Sequence, residues 1–174
     1  MRSLPVALFG VLSLVSSPLL SQAPRRWAIR GDTTGAPFGC SSAAGIRAVD
    51  EWFTAFNRAD YAGLARVMAN RPFVVSTGRF TPAESFVRLE SPKALLVYVR
   101  KRARHRERLT LDSVTFWGWV NGNGRALGFM PHYMRAADDL GPKPIHGVGK
   151  GSYFCGRGIH VLNLAPRPDM MGGR

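Results

Sequence analysis

One stretch of the sequence, residues 48–69 (AVDEWFTAFNRADYAGLARVMA), constrains the fold more than any other. In its first half the apolar side chains recur at the spacing of one buried helix face, at Val49, Phe53 and Phe56. Asn57-Arg58-Ala59 interrupts this helix, and Asp60 is a residue type that caps the start of a new one. The stretch therefore predicts a long amphipathic helix, a sharp break and a short second helix.

The rest of the chain changes from helices to strands. A short strand is predicted at residues 73–75, and Thr81 and Ser91 each precede a proline that suits the first turn of a helix. From residue 109 onward the sequence is rich in Val, Thr, Phe and Trp, and Asn121-Gly122-Asn123-Gly124 is a strong hairpin turn. Strands at 126–136, 145–155 and 159–164 complete an antiparallel meander. We expect an α+β fold in which a curved antiparallel sheet wraps around the N-terminal helices as a cone.

The N-terminus resembles an export signal. Arg2 precedes an apolar run that prolines and serines interrupt, and Ser21-Gln22-Ala23 is a small-residue cleavage site. We therefore expect a signal peptide at residues 1–23, a flexible N-terminal arm at 24–41, one domain at 42–165 and a frayed tail at 166–174. The predicted location is extracytoplasmic, either secreted or in the cell envelope.

The chain has two cysteines, Cys40 and Cys155. In an exported protein an even pair predicts a disulfide, and a bond that closes so long a loop stabilises the fold by about 4 kcal/mol in the chain-entropy model. The alternative is a reactive thiol or a metal ligand, which the spacing of the cysteines and histidines does not favour. We predict the Cys40–Cys155 disulfide and neither a metal nor a cofactor.

The helix-break-helix pattern carries a family resemblance. The run from Trp52 to Leu64, WFTAFNRADYAGL, together with a late Gly-Lys-Gly strand and a Gly-Arg-Gly hairpin, resembles the nuclear-transport-factor-2-like superfamily, which includes steroid Δ-isomerases and polyketide cyclases. The resemblance implies a cystatin-like α+β barrel with a cone-shaped pocket, and a possible homodimer. It places Trp52, Ser76 and Lys150 where the isomerases carry a tyrosine, a base and an acid. These residue types cannot replace those groups, so an isomerase of that kind is not expected.

Three residues of the late strands are candidate catalytic groups: His132, His146 and Lys150. Strand alternation places His146, Lys150 and Phe154 on one face, and the resemblance makes that face the concave one. Histidine and lysine in a buried pocket suit acid–base chemistry near neutral pH. The alternative is that the opposite face points inward. That face carries Gly147, Gly149 and Gly151, which would make a poor core.

A second set of residues is predicted to bind a ligand: Trp52, Phe56, Ser76, Trp117 and Phe154. Trp117 and Trp119 alternate on one strand, so packing or an oligomer interface is the alternative for them. The partner that we expect is a small, partly apolar molecule.

The chain is strongly basic, with 24 Lys and Arg against 11 Asp and Glu and a net charge of +13. The run YVRKRARHRER at residues 98–108 predicts either a solvated helix end or a surface for anionic envelope polymers or lipids. Nucleic acid is not expected, because the run lacks exposed aromatic residues on which bases would stack. Three functions stay open: a small-molecule-binding or assembly domain, a cofactor-free lyase, isomerase or cyclase, and a basic surface-binding module.

Overall fold

The computed structural model describes residues 41–70, 73–81, 84–121 and 124–166, and for residues 117–121 and 124–125 the description is limited to the backbone. The predicted signal peptide and nearly all of the predicted arm and tail lie outside these residues, so those boundaries stay predictions. The described helices are α1 (Ser42–Asn57), α2 (Tyr61–Val67) and α3 (Pro92–Arg104), with a 3-10 turn at Asp138–Leu140. None of the helices in the described part of the chain is long and apolar enough to cross a membrane.

Six strands form one open sheet: β1 (Val74–Thr77), β2 (Val87–Leu89), β3 (Arg108–Asn121), β4 (Gly124–Ala136), β5 (Ile145–Phe154) and β6 (Gly158–Pro166). Their order across the sheet is β2-β1-β6-β5-β4-β3. All neighbours are antiparallel except β1 and β6, which run parallel. The predicted α+β class and the C-terminal meander are confirmed, and the sheet is mixed because β1 inserts beside the last strand.

The first helix packs into the concave face of the sheet, as its apolar pattern predicts. Phe53 and Phe56 are 1% and 4% exposed, and the Phe53 ring lies edge-on to Tyr133 with centroids 5.6 Å apart. Asn57 ends the helix by bonding the sheet backbone: its Nδ2 donates to the Leu109 carbonyl at 2.9 Å, and its Oδ1 accepts from the Leu109 N–H at 2.8 Å. The helix therefore enters the fold at a fixed position along β3.

The predicted break between α1 and α2 is confirmed. Ala59 takes a positive φ of 51°, and the Asp60 N–H bonds the Ala55 carbonyl at 2.8 Å. Asp60 then caps α2, because its carboxylate accepts from the Gly63 N–H at 2.9 Å. Ser41 and Ser91 cap α1 and α3 in the same way.

One predicted helix is absent. The Thr81-Pro82-Ala83-Glu84 pattern predicted a helix, whereas residues 84–86 have no regular structure and β2 follows. Pro82 and Ala83 lie outside the described residues. The Glu84 carboxylate accepts from the Phe80 N–H at 2.9 Å and pairs with Arg135 at 2.8 Å. This carboxylate therefore forms an ion pair with β4 instead of capping the first turn of a helix.

The inner face of β5 is the glycine face, and the neighbouring strand covers it. The β4 side chains lean across β5, with Tyr133 over Gly147, Pro131 over Gly149 and Phe129 over Gly151. A Cβ atom at Gly151 would lie 2.3 Å from the Phe129 ring and 2.6 Å from the Val161 carbonyl oxygen. The glycines thus leave room for aromatic rings that fill the cone.

A buried charge cluster ties α3 to the sheet. Arg102 on α3 pairs with Glu107, and its guanidinium also donates to both carboxylate oxygens of Asp139 at 2.7 and 2.8 Å. Arg135 on β4 pairs with Glu107 at 2.9 Å and with Glu84. Arg102, Glu107 and Arg135 are each no more than 5% exposed. The helical spacing of Leu95, Leu96, Val99 and Ala103 in the sequence predicts that Ala103 faces the core, but in the structure Ala103 is exposed and Arg102 is buried.

We expect Gly151→Ala to lower the free energy of unfolding by about 1–3 kcal/mol, since the added methyl group forces Phe129 or the β6 backbone to move. Urea unfolding measures the change. The control is Lys150→Ala, which alters the exposed face of the same strand and should change stability by less than about 0.5 kcal/mol. Equal effects of the two substitutions would show that the close Phe129 contact carries no special weight.

We expect Glu107→Gln to destabilise the protein by about 3–5 kcal/mol, because it leaves two buried guanidinium groups short of negative charge. The exposed Glu51–Arg66 pair supplies the control, and Glu51→Gln should cost less than about 0.5 kcal/mol. Urea denaturation at neutral pH compares the two. A Glu107→Gln protein as stable as the wild type would contradict a structural role for the cluster.

The same cluster predicts a pH dependence. The Arg102 guanidinium lowers the pKa of Asp139 below its ordinary value. Because the folded pKa is the lower one, this pair stabilises the fold above the ordinary aspartate pKa, and its contribution is lost as pH falls through the folded value. Urea midpoints measured as the pH is lowered below the ordinary aspartate pKa should therefore fall more steeply for the wild type than for Asp139→Asn.

Candidate functional site

A groove of about 680 Å³ lies between α2 and the start of α3. Its apolar lining comes from both helices and from the residue before β1: Leu64, Ala65, Met68, Phe73, Leu95 and Leu96. This volume is within the range of about 300–1,000 Å³ that small-molecule sites occupy in proteins. The groove is therefore large enough for a small organic ligand.

The α2 wall is held close to the rest of the fold. A Cβ atom at Gly63 would lie 2.9 Å from the Ala55 Cβ, so only glycine allows α2 to approach α1 this closely. At the other end of α2, the Ala69 N–H donates to the Ile159 carbonyl of β6 at 2.8 Å. Met68 stands between these two anchors and faces the groove.

The α3 wall begins at a capped turn. The Ser91 side chain accepts from the Ala94 N–H at 3.2 Å, and Pro92 occupies the first turn. Leu95 and Val99 face the core at 5% and 1% exposure. The groove side of α3 carries Lys93 and Leu96, three residues apart and so on one face of the helix.

The rim of the groove is polar and unevenly charged. Glu90 lies at the rim, but its carboxylate is paired with Arg88 at 2.5 Å. Lys93 has no ion-pair partner among the residues that the structure describes. Arg100 lies over the ring of Tyr61, 5.2 Å from its centroid, and Tyr61 lines the groove. The cationic groups at the rim thus outweigh the anionic ones.

The predicted catalytic residues do not meet in a pocket. His132 pairs with Val148 and Met134 pairs with His146, so His132, His146 and Lys150 do share one face of the sheet. That face is the outer one, because Tyr133 and Arg135, which alternate with His132, are buried, whereas His146 and Lys150 are exposed. The prediction that this face is concave is wrong: alternation defines two faces, and the aromatic cover over the glycines makes the other one the inner face.

The predicted ligand-binding residues are also dispersed. Trp52 and Phe56 stack with centroids 5.4 Å apart inside the core, and they do not line the groove. Ser76 pairs with Arg88 and Asn163, both exposed, and so lies on the outer face of β1.

Of the two remaining residues of that predicted set, Phe154 lies away from the groove. Phe154 follows Tyr153, which packs against the core, and its own ring contacts His160 on the outer side with centroids 4.8 Å apart. The Trp117 backbone pairs with Gly128, and its side chain lies outside the described part of the structure. Trp52, Phe56, Ser76 and Phe154 therefore do not line the groove, and the ligand-binding role of Trp117 stays a prediction.

The predicted disulfide is not tested by the described residues. Cys155 lies in the turn after β5 and is half-buried, whereas Cys40 lies outside the described residues. Within the described part of the chain, no group of three His, Cys, Asp or Glu side chains is placed to hold a metal ion.

Two tyrosines lie beside the charge cluster: Tyr133, which is buried, and Tyr98, which is half-buried. Burial raises the pKa of Tyr98, and the negative charge of Glu107 raises it further, while Thr77 forms a hydrogen bond with its side chain. Burial likewise raises the pKa of Tyr133, whose hydroxyl donates to the Ala165 carbonyl at 3.4 Å. Both phenols therefore stay protonated near neutral pH. The cluster carboxylates are already bonded by arginines, so this polar region is a structural one.

The sequence contained part of the information needed to find the groove. Helical spacing predicts that Leu64 and Met68 are buried in the second helix, and Leu95 and Leu96 in the third. Periodicity assigns such residues to the core, however, without showing where two helices stand apart. The spacing of Lys93 and Arg100 is a clearer indication of a binding surface. The two cations are seven residues apart and lie on the same side of α3 as Leu96.

No protein-family model matches the sequence, and no curated protein matches it. Solved structures do match. A nuclear-transport-factor-2-like protein of unknown function from Burkholderia pseudomallei superposes with a TM-score of 0.50 at 14% identity, over 72% of this chain and 92% of that one. The second match is the orange carotenoid protein of Anabaena (Nostoc), in a structure with bound canthaxanthin. It superposes with a TM-score of 0.56 at 11% identity, over 89% of this chain but only 43% of that one.

A chain of the yeast complex of the deubiquitinase Ubp3 with its cofactor Bre5 superposes with a TM-score of 0.53 at 11% identity, over 70% of this chain and 92% of that one. These identities are low enough that the likeness concerns the fold alone. The order of helices and strands, the α1–α2 break and the curved open sheet agree with it. The chain therefore has the nuclear-transport-factor-2-like fold.

Proposed function

We propose that this protein binds a small, partly apolar molecule in the groove between α2 and α3. The observation that carries the proposal is the groove itself, which combines a mainly apolar lining with a polar rim at its edge. Such a combination is typical of small-molecule sites, where apolar contact gives affinity and a few polar groups give orientation. Within the described residues, the inner face of the sheet carries buried aromatic rings, among them Phe53, Phe116 and Phe129, and we place the ligand in the groove instead.

The geometry supports binding better than catalysis. The His132, His146 and Lys150 set lies on the outer face of the sheet, away from the groove. The buried carboxylates near the tyrosines are held by arginines and have no open approach in common with the groove lining. Binding without turnover therefore needs no group beyond those that line the groove.

We also propose that the protein works outside the cytoplasm, with Cys155 paired to Cys40. This proposal rests on the signal-like residues 1–23 and on the even cysteine count. It is independent of the groove.

The groove is tested with N-phenyl-1-naphthylamine, a neutral apolar dye whose fluorescence rises when it leaves water. We expect micromolar binding by the wild-type protein. Ala65 is exposed at the groove wall, so Ala65→Trp fills the groove without disturbing the core, and it should weaken dye binding about tenfold or more.

Ala62→Trp is the matched control, because Ala62 is equally exposed on α2 but does not line the groove. It should leave the dye affinity unchanged. Equal binding by wild type and Ala65→Trp would overturn the proposal. Native mass spectrometry of the protein purified from its own host would identify a natural ligand, whose mass should be lost from the Ala65→Trp protein.

A further inference from the structure

We infer that the ligand of the groove is an anionic amphiphile, with its apolar chain along the helices and its acidic head group at a cationic stripe on α3. The inference rests on the proposed binding function and specifies the chemistry of the ligand. Three observations carry it: the spacing of the residues on α3, the charge balance at the rim and the apolar floor.

The spacing of the residues on α3 defines the stripe. Lys93, Leu96 and Arg100 occur at positions i, i+3 and i+7, so they lie along one side of the helix. At 1.5 Å per residue, the two cations are separated by about 10 Å along the axis. Lys93 and Leu96 line the groove directly, and Arg100 reaches it through the Tyr61 ring. The stripe therefore places one cation at each end of an apolar residue.

The charge balance at the rim favours an anion. Glu90 is the acidic residue that lines the groove, and its carboxylate is paired with Arg88. In contrast, neither Lys93 nor Arg100 forms an ion pair with any residue in the described ranges. An acidic head group would supply the negative charge that these two side chains lack, and both could bind it without burial.

The floor of the groove accounts for the other half of the ligand. It is lined by Leu64 from α2 and Met68 just after that helix, by Phe73 before β1, and by Leu95 and Leu96 from α3. A hydrocarbon chain gains about 0.8 kcal/mol for each CH₂ group that it buries against such a surface. A purely polar anion would leave this apolar surface exposed to water. The site therefore suits a molecule that has both an acidic head group and a hydrocarbon chain.

Arg102 shows that the stripe is a specific arrangement rather than a generally basic helix. It lies between basic neighbours in the sequence, yet it points inward to Glu107 and Asp139 and is unavailable to a ligand. Lys101 is exposed but follows Arg100 by one position, which turns it about 100° away around the helix. The cations that could serve the groove are therefore Lys93 and Arg100.

The test uses two competitors with the same chain, dodecanoate and dodecanol, to displace N-phenyl-1-naphthylamine from the full chain. We expect dodecanoate to displace the dye at about tenfold lower concentration than dodecanol in low salt. Added salt should reduce this advantage, because the rim cations are exposed. Equal potency of the two competitors in the wild type would overturn the anionic class while leaving the groove function intact. Failure of the dye itself to bind would instead overturn the groove function.

Substitutions then locate the head group. Lys93→Gln and Arg100→Gln should each raise the inhibition constant of dodecanoate about threefold, and the double variant about tenfold, which is the size expected for exposed ion pairs. Dodecanol and the dye should be unaffected. Lys101→Gln is the control with the same loss of charge and should change nothing. An equal loss in Lys101→Gln and Lys93→Gln would mean that net charge alone attracts dodecanoate, and would overturn the assignment.

Discussion

The position of α3 depends on the buried contact between Arg102, Glu107 and Arg135. This helix shares few other contacts with the sheet, and its only deeply buried residues besides Arg102 are Leu95 and Val99. Glu107 accepts from arginines of two elements, so one carboxylate joins the end of α3 to the end of β4. Two cations and their carboxylates are costly to bury, and the geometry compensates because every guanidinium nitrogen has an acceptor. The same helix forms one wall of the groove at its N-terminal end.

The other wall depends on glycine and on aromatic packing inside the cone. Gly63 allows α2 to lie against α1, and the three inner glycines of β5 allow the β4 side chains to lie flat across the sheet. The rings of Phe116, Phe129 and Tyr133 are fully buried on the concave face of the sheet. The groove lies elsewhere, between α2 and the start of α3. The same fold can therefore place its cavity differently, according to how its cone is filled.

Local signals predicted much of the fold. The caps at Asp60 and Ser91 and the α1–α2 break depend on neighbouring residues, which is why sequence alone identified them. The face of β5 could not be assigned in this way, because alternation gives two sets of residues without saying which is inside. We expected the glycine face of β5 to point outward because glycines alone make a poor core. In the structure the apolar side chains that cover these glycines come from the neighbouring strand, β4. Arg102 was misplaced for a similar reason: its partner Asp139 is 37 positions away in sequence.

The basic residues of α3 show why charge counts alone do not define function. Three cations of this one helix have different surroundings. Arg102 is buried and paired with Glu107, and Arg100 lies over the ring of Tyr61, which lines the groove. Lys93 lines the groove and has no counter-ion in the described structure. A screened surface charge contributes little by itself. Such a charge contributes to ligand specificity when it lies at a fixed distance from an apolar surface. Only a molecule that carries both an opposite charge and a hydrocarbon chain can then bind the cation and the apolar surface at the same time. The information is in the spacing of Lys93, Leu96 and Arg100, not in the excess of positive charge.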